Sequence, residues 1–456
     1  MSLSTTSSPS WPRRLLGVVT EVRPGEVVPA LTLFTTIFLV LCAYYFIKPV
    51  REGWLSISVI AGLSKIEVKA YSSFAQSLLL FAVIPFYARL TTRWFRRDLI
   101  SRVGLFFTVN LLLFWLLHPG FLFQLVPYLG LVFYLWTGIF AVTLVAQFWS
   151  FAADLYDEER GKRLFPLIAL GASSGAVVGS WLGEIMVKDL AIETFHLLLV
   201  ACVPLLLALM LARWVDRHGV SKNHSGTDTG AHAAAPDTAG AYGLIMRTRY
   251  LRLTALMVFA MFWVMTNGEN ILFALVQRAL ETEGLDAAAT KAGTTAFYSN
   301  LYFWVNLTGL LLQAFVVSRL QRWGGFGALM LTPPLVSLVG YGAMASESAL
   351  AVVTAAKTAE NGTNYSVNNT ARQVLWLPTT REMIYKAKAA IDTLCVRLGD
   401  GLAALTVLIG TRVLNIEAVS FILFNMLLIG AWLTLAILVV REHKRLLDHP
   451  LPEISK

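Results

Sequence analysis

Charged residues are scarce in this chain: Asp, Glu, Lys and Arg account for 14% of its 456 residues, whereas 56% are hydrophobic. So little charge cannot cover the surface of a water-soluble protein of this length. Apolar runs of membrane-spanning length recur from residue 27 onward. The composition therefore predicts an integral membrane protein that has the lipid bilayer as a partner.

Cysteine is nearly absent as well. The three cysteines, Cys42, Cys202 and Cys395, each lie inside an apolar run, which argues against a disulfide framework and a CxxC metal site. HExxH, GxSxG and a phosphate-binding loop are also missing from any context that would support them. We therefore expect no metal, no cofactor and no enzymatic activity.

The basic residues are dispersed. The net charge is +9, but these residues are spread over short loops rather than gathered in one tail, so we predict no nucleic-acid partner. They concentrate in alternate loops, such as those after the apolar runs at 70–87 and 125–153, and the positive-inside rule then places both termini in the cytoplasm. Four residues break the pattern by lying on the outer side of the first two apolar runs, 27–47 and 70–87: Lys48, Arg51, Lys65 and Lys69.

The beginning of the chain carries no small-residue cleavage site and no Ser- and Arg-rich transit segment. These two absences indicate that the first helix is retained and that the membrane is a bacterial inner membrane.

The spacing of the apolar runs predicts an all-α membrane protein with twelve transmembrane helices in two six-helix halves, similar to the major facilitator architecture. The helices are expected near 27–47, 70–87, 99–117, 125–153, 164–185, 194–211, 251–276, 296–316, 326–345, 349–372, 388–413 and 418–440. The tenth is the least hydrophobic of them, so that eleven or thirteen spans also fit the sequence. The corresponding segments are a cytoplasmic start at 1–26, an N-terminal half at 27–211, a polar cytoplasmic linker at 212–250, a C-terminal half at 251–440 and a cytoplasmic tail at 441–456. YARLTTRWFRR (87–97) and VSRLQRWGG (317–325) share a rhythm of arginine and leucine at matching places in the two halves.

Several polar side chains interrupt the apolar runs. A charge near the bilayer centre costs about 2.5 to 3.5 kcal/mol, so it is kept where it lines a cavity, pairs or binds a ligand. The cations of helix 1 are predicted at its outer end, and helix 10 carries a polar stripe with one residue every three to four positions. The candidate substrate-binding residues are Lys48, Arg51, Glu269, Lys357, Asn364, Lys388, Asp392 and Arg397.

Helix 5 contains three glycines spaced four apart, Gly171, Gly175 and Gly179. This small-xxx-small pattern favours close packing of two helices. A phosphate-binding role would need a strand before the glycines, which the apolar helical context does not provide.

Two segments carry a family resemblance. FWSFAADLYDEERGKRLFPLIALGASSGA (148–176) and NYSVNNTARQVLWLPTTREMIYKAKAAIDTLCVRLGDGLAAL (364–405) resemble the ATP/ADP translocases of plastids and obligate intracellular bacteria, above all in KAKAAID and the following LG dipeptide. The resemblance implies a twelve-helix exchanger of ATP, ADP or another phosphorylated anion. It also implies that Lys388, Arg51 and Glu269 occupy the positions of the family's functional charges. The family's acidic residue in helix 4 has no counterpart, because residues 134–149 contain no carboxylate.

Two further functions fit the same residues. One is a proton-coupled carrier of another solute, in which Glu269 or Asp392 takes up the proton. The other is a membrane scaffold or sensor that does not transport, with the polar residues sealed in ion pairs. A monomer agrees with the sequence, which leaves the oligomeric state open.

Overall fold

The computed structural model describes residue 23 and residues 26–60, 62–93, 96–122, 128–156, 158–218, 240–347, 349–380, 383–388, 390–416 and 418–449. Most of the predicted N-terminal segment, residues 219–239 of the predicted linker and the end of the tail lie outside these residues. The described chain is helical, and we number its α-helices in order. They are α1 Val27–Ile57, α2 Lys65–Arg93, α3 Arg96–Leu117, α4 Leu129–Leu155, α5 Glu158–Lys188, α6 His196–His218, α7 Ala241–Arg247, α8 Arg249–Thr282, α9 Ala287–Leu311, α10 Val317–Ser346, α11 Leu350–Thr363, α12 Asn369–Val374, α13 Val396–Arg412 and α14 Ala418–Asp448.

Within the described residues, eight helical segments are long and apolar enough to cross a membrane. One of them, residues 287–346, is twice the usual length and covers two of the predicted spans. It breaks at Gly325, whose φ of 59° lies in the left-handed region that favours glycine. The exact number of twelve crossings therefore stays a prediction, whereas the all-helical membrane architecture agrees with these segments.

Helix α1 is longer than predicted, and this corrects the position of its charges. The helix continues past residue 47, through Pro49, to Ile57. Lys48 and Arg51 therefore lie inside it rather than at its outer end, and Arg51 is 9% exposed. The prediction failed because it ended the span at the first charge, whereas the structure supplies that charge with buried partners.

The predicted helices 10 and 11 are each interrupted by π-helical turns. One turn, at residues 364–368, joins α11 to α12, and others at residues 383–388 and 391–395 precede α13. A π-turn widens the helix locally and often marks a functional site. The polar segment singled out in the sequence is thus also the segment with the least regular helical geometry.

The glycines of helix 5 make the predicted close contact. Helix α5 packs against α1, and the main chain of α1 leaves no room for a side chain at any of the three positions. A Cβ atom would lie 2.5 Å from the Phe34 oxygen at Gly171, 2.2 Å from the Phe38 oxygen at Gly175 and 2.6 Å from the Cys42 oxygen at Gly179. The packing interpretation is confirmed.

Two hydrophobic clusters organise the chain. One is built from residues of α1 to α6, including Phe133, Phe140 and Phe151. The other is built mainly from α8 to α14, including Tyr250 and Phe273. Helices α1 to α6 and helices α8 to α14 are called the N-terminal half and the C-terminal half below.

Polar contacts tie the two halves together at one end. Arg412 Nε lies 2.5 Å from Glu67 Oε1, and Lys291 pairs with Glu193. This end carries the connections α1–α2, α5–α6, α8–α9 and α13–α14, and it is called the tied end. Beyond these contacts, toward the middle of the helices, a polar cavity lies between the halves.

Candidate functional site

The central cavity has a volume of about 400 Å³ and lies between the two halves. Small-molecule sites commonly enclose about 300 to 1,000 Å³. Side chains of α1, α2, α4, α8, α9, α11 and α13 and of the π-turn after α11 line it. They are Lys48, Arg51, Lys69, Ser73, Gln76, Ser77, Tyr134, Phe262, Met265, Thr266, Glu269, Tyr302, Asn361, Asn364, Tyr365, Val396, Arg397 and Asp400.

On the N-terminal half, two cations share one carboxylate. Glu52 is fully buried, pairs with its neighbour Arg51 and accepts a 2.6 Å hydrogen bond from Lys69 Nζ. The ring of Tyr134 on α4 lies 4.5 Å from the Arg51 guanidinium carbon and 4.9 Å from Lys69 Nζ. One negative charge is thus divided between two positive ones, and an aromatic face supports both cations.

Lys48 is held by aromatic rings instead of a carboxylate. Its Nζ lies 3.8 Å from the ring centre of Tyr302, 5.3 Å from that of Tyr45 and 5.9 Å from that of Tyr44. None of the ion pairs among the described residues includes Lys48. The ammonium group therefore lines the cavity with capacity to bind an anion.

On the C-terminal half, two carboxylates share one ammonium. Lys357 is fully buried, pairs with Glu360 and lies 3.3 Å from Glu269 Oε1. Glu360 also accepts a hydrogen bond from Ser337, and Glu269 accepts one of 3.1 Å from Asn361 Nδ2. Glu269 forms part of the cavity wall, whereas the Lys357–Glu360 pair lies behind it.

A further polar group joins the halves at the cavity wall. Asp400 of α13 accepts hydrogen bonds from Ser77 of α2 at 2.8 Å and from Thr266 of α8 at 2.7 Å. Arg397, one helical turn earlier, lies 3.6 Å from Asp400 and 3.3 Å from the Ser77 hydroxyl. Since Ser77 belongs to one half and Asp400 to the other, this group breaks when the halves separate.

The profile of the family described as "TLC ATP/ADP transporter" matches residues 122–443. The chain belongs to this family. Among curated relatives, it is 23% identical over 314 residues to "ADP,ATP carrier protein 5" of Rickettsia bellii, an alignment that covers 59% of each protein. It is 20% identical over 301 residues to "ADP,ATP carrier protein 1" of Chlamydia pneumoniae, with 58% of this chain and 57% of the relative covered. The match thus spans about three fifths of these relatives.

Solved structures show the same fold. An auto-inhibited POT family peptide transporter has a TM-score of 0.62 at 13% identity, with 94% of this chain and 98% of that chain covered. The nucleoside transporter NupG has a TM-score of 0.61 at 11% identity, with 91% and 99% covered. The TLC family chain therefore has the major-facilitator type of fold, as expected. Its family and the eight long apolar helices among the described residues make it a multi-pass membrane protein.

The structure brings most of the sequence-predicted residues of this TLC family member together. Five of the eight predicted residues line the cavity. Lys357 is buried directly behind them. The lining members of the predicted set are Lys48, Arg51, Glu269, Asn364 and Arg397.

Two of the predicted residues lie elsewhere. Lys388, which is partly exposed, points its Nζ to Gln373 Oε1 at 3.4 Å. Asp392 pairs with Arg372, whose guanidinium carbon lies 5.6 Å from the ring centre of Phe262. Both predicted residues precede Arg397 on the side away from the tied end, so they do not share the cavity with Arg51.

The sequence interpretation missed several lining residues. Lys69 is one of the four basic residues that break the loop-charge pattern, and that exception is sufficient to mark it as a candidate site residue. Tyr134 stands in the helix that lacks the family's acidic residue, and its ring contacts the two cations of the N-terminal half. Tyr302 and Tyr365 gave no signal, because an aromatic residue in a membrane helix is ordinarily a packing residue.

Charges in and directly behind the cavity wall nearly balance. Among the described residues, the cations are Lys48, Arg51, Lys69, Lys357 and Arg397, and the carboxylates are Glu52, Glu269, Glu360 and Asp400. The surplus of positive charge lies on the N-terminal half, and the C-terminal half has the surplus of carboxylates. An anion is therefore attracted to one side of the cavity.

Proposed function

We propose that this protein exchanges phosphorylated nucleotides such as ATP and ADP across a membrane by alternating access. The observation that carries the proposal is the position of Lys48, a cavity ammonium supported by tyrosine rings and lacking a carboxylate partner among the described ion pairs. Membership of the TLC ATP/ADP transporter family supports the same substrate class.

Phosphate oxygens supply the negative charge that the three cations of the N-terminal half lack. Arg51 and Lys69 divide a single carboxylate, and Lys48 has none. Hydrogen bonds from ammonium or guanidinium groups to phosphate are about twice as strong as neutral ones, and a cavity of low dielectric strengthens them further. A polyphosphate chain therefore fits between these three cations better than an uncharged solute does.

The proposal is tested with proteoliposomes that contain unlabelled nucleotide and are supplied with labelled ATP from outside. We expect counterflow by the wild type, loss of most counterflow in Lys48→Gln, and partial recovery in Lys48→Arg. Lys188→Gln is the matched control, because that ammonium is on the surface with 67% of its side chain exposed.

Affinity is expected to fall from triphosphate to monophosphate to nucleoside. Normal counterflow by Lys48→Gln, or equal competition by an uncharged nucleoside, contradicts the phosphate site. If the wild type neither transports any nucleotide nor shows a thermal shift with one, the scaffold or sensor function becomes the better proposal.

The proposed orientation places both termini in the cytoplasm of a bacterium and the tied end outside its inner membrane. In that orientation the structure is the form closed to the outside. A membrane-impermeant maleimide is expected to label Asn415→Cys from outside intact cells and to leave Arg445→Cys unlabelled, in a background whose native cysteines are replaced by alanine. Labelling with the opposite preference reverses the orientation.

We propose that Lys388 and Asp392 serve the approach to the cavity from the cytoplasm. They precede Arg397 on the side away from the tied end, where the halves separate in the proposed inward-facing form. An electrostatic role in the approach affects the association rate more than the affinity. Lys388→Gln is therefore expected to slow exchange with a reduced salt dependence and to leave the equilibrium affinity for ATP unchanged. A large loss of affinity places Lys388 in the binding site instead.

One observation favours proton coupling as a second candidate. Glu269 and Glu360 share the single ammonium of Lys357, so a proton on one carboxylate neutralises the buried group. A proton-coupled carrier accumulates solute when a pH gradient is imposed, and Glu269→Gln then loses gradient-driven uptake but retains exchange. Uptake that ignores the gradient rules this candidate out.

A further inference from the structure

The aromatic rings at the cavity are not equivalent. Tyr134 already contacts Arg51 and Lys69, and Tyr302 is covered by Lys48 at 3.8 Å. Tyr365 also lines the cavity, and it is 45% exposed. No ring or cation contact of Tyr365 is found among the described residues, so its aromatic face is open to a ligand.

The position of Tyr365 is set by the backbone. It lies in the π-turn at residues 364–368, which widens the helix where the cavity is lined. This turn packs against α9 through Gly309, where an added Cβ would lie 3.5 Å from the Gly362 oxygen and 3.5 Å from the Tyr365 Cβ. The Tyr365 side chain thus leaves the backbone beside Gly309 of α9, and Tyr365 lines the cavity there.

Two amide groups with opposite hydrogen-bonding character flank this ring. Asn361 uses its Nδ2 to donate to Glu269, which leaves its Oδ1 as an acceptor. Asn364 uses its Oδ1 to accept from Asn368 Nδ2 at 2.6 Å, which leaves its own Nδ2 as a donor. Both residues line the cavity. One acceptor and one donor therefore remain beside an exposed aromatic ring.

This combination matches a nucleobase. Every base has a flat aromatic face, and stacking on an aromatic side chain tolerates any base. The edges of bases present hydrogen-bond donors next to acceptors, which side-chain amides of asparagine can pair with. Phe262, Met265 and Val396 supply apolar surface in the same cavity.

We propose that the base of the nucleotide binds on the C-terminal half, stacked on Tyr365 with its edge at Asn361 and Asn364. The phosphates then occupy the opposite wall at Lys48, Arg51 and Lys69. This orientation rests on the proposed nucleotide function. It also agrees with the charge distribution, because the surplus carboxylates of the C-terminal half repel phosphate and do not repel an uncharged base.

The test compares two probes that share the phosphate chain and differ in the base: ATP and inorganic tripolyphosphate. Each competes with labelled ATP for binding to the purified full-length protein. Tyr365→Leu is expected to weaken ATP at least about fivefold, the lower end of the loss for one stacked base, while tripolyphosphate affinity changes less than about twofold. Tyr365→Phe, which keeps the ring, is expected to retain the wild-type affinity for both probes.

Lys48→Gln serves as the contrasting variant, because a phosphate contact weakens ATP and tripolyphosphate together. Asn364→Asp gives a second measurement that does not depend on the folding of Tyr365→Leu. It replaces the amide donor by an acceptor, so the relative affinities for nucleoside triphosphates with different bases are expected to change. Tripolyphosphate, which has no base, reports only the effect of the added negative charge on phosphate binding.

The outcomes separate the two proposals. If the wild type binds ATP and Tyr365→Leu weakens ATP and tripolyphosphate equally or not at all, the base position is wrong and the nucleotide function stands. If the wild type binds tripolyphosphate as tightly as ATP, the base adds no affinity and the base site is wrong, whereas the phosphate site of the nucleotide function stands. If it binds neither probe, the nucleotide function itself fails.

Discussion

Glu67 on α2 and Arg412 on α13 are 345 positions apart in the chain and form a two-point contact at the tied end. Arg412 Nε lies 2.5 Å from Glu67 Oε1, and Nη2 lies 3.1 Å from Oε2. Glu67 is 2% exposed and also accepts hydrogen bonds from Ser64 and Thr411. A carboxylate of one half thus accepts hydrogen bonds from an arginine and a threonine of the other half, which favours the form closed at this end.

The first prediction concerns this contact. Arg412→Gln removes the charged partner of the buried Glu67 carboxylate, so the equilibrium is expected to shift severalfold toward the form open at the tied end. The shift is measured as the rate at which an impermeant thiol reagent, added on that side, modifies Thr266→Cys in the cavity. Arg445→Gln, a surface variant, is the control, and an unchanged rate in Arg412→Gln contradicts the role of the contact.

The second prediction concerns how the contribution of Glu193, also at the tied end, to stability depends on pH. Burial raises the pKa of the Glu193 carboxyl, but hydrogen bonds from Lys291 and the Phe195 main chain, with the Lys291 charge, lower it by more, so its pKa lies below the ordinary 4.5. The folded protein therefore stabilises the ionised form of the Glu193 carboxyl. Its contribution is therefore complete above pH 4.5 and is lost as the pH falls through the lowered pKa.

The difference in melting temperature between wild type and Glu193→Gln is expected to be present at about pH 7 and to vanish at about pH 3. His196 Nδ1 lies 3.2 Å from Glu193 Oε2. The same comparison in a His196→Gln background therefore separates the imidazole from the carboxylate. A difference that persists unchanged at the lower pH means that Glu193 acts through packing instead of charge.

The third prediction concerns the shared carboxylate of the cavity. Glu52→Gln leaves Arg51 and Lys69 without a buried counter-charge, a change that costs about 3 to 5 kcal/mol when one partner of a buried pair is removed. The melting temperature is expected to fall, and ATP is expected to raise it more in this variant than in the wild type, because phosphate replaces the lost carboxylate. Glu159→Gln, with a side chain 67% exposed, is the control. An equal ATP effect in the variant and the wild type places the phosphates away from Arg51 and Lys69.

The fourth prediction uses two glycines in different surroundings. Gly175→Ala puts a Cβ atom 2.2 Å from the Phe38 oxygen, so α1 and α5 must move apart at a cost of about 1 to 3 kcal/mol. Gly430→Ala on α14 meets nothing within 4 Å and is expected to be neutral or stabilising by up to about 1 kcal/mol. Thermal unfolding of both variants in the same detergent measures the contrast. Equal stability of the two variants means that the glycine contact with α1 is dispensable.

The near balance of charge in the cavity bears on the transport mode. Unpaired cations alone would make the empty carrier costly to reorient. Glu52, Glu269, Glu360 and Asp400 compensate most of these cations. The empty carrier can therefore reorient without a large electrostatic cost. The ratio of exchange to net uptake in proteoliposomes measures how often it does so.

Much of the architecture follows from the sequence by itself. The need to bury apolar side chains in a bilayer is a local property, so runs of hydrophobic residues identify spans without knowledge of their neighbours. The cost of a charge in such a run is also local, which is why Arg51, Glu269 and Lys357 were recognised as candidates. The glycine spacing of α5 was sufficient for the same reason, because a period of four residues defines one face of a helix.

Only the tertiary structure decided which charges meet. Glu52 with Lys69, Glu269 with Lys357, and Glu67 with Arg412 are pairs between different helices, and their partners depend on how far each helix extends and how the two halves close. Lys388 shows the limit of a linear motif, since the π-turns and the direction of α13 carry it away from the cavity that Arg397 lines. Tyr365 shows the converse, because its value as a binding surface comes from the empty space in front of its ring, which no property of the sequence reports.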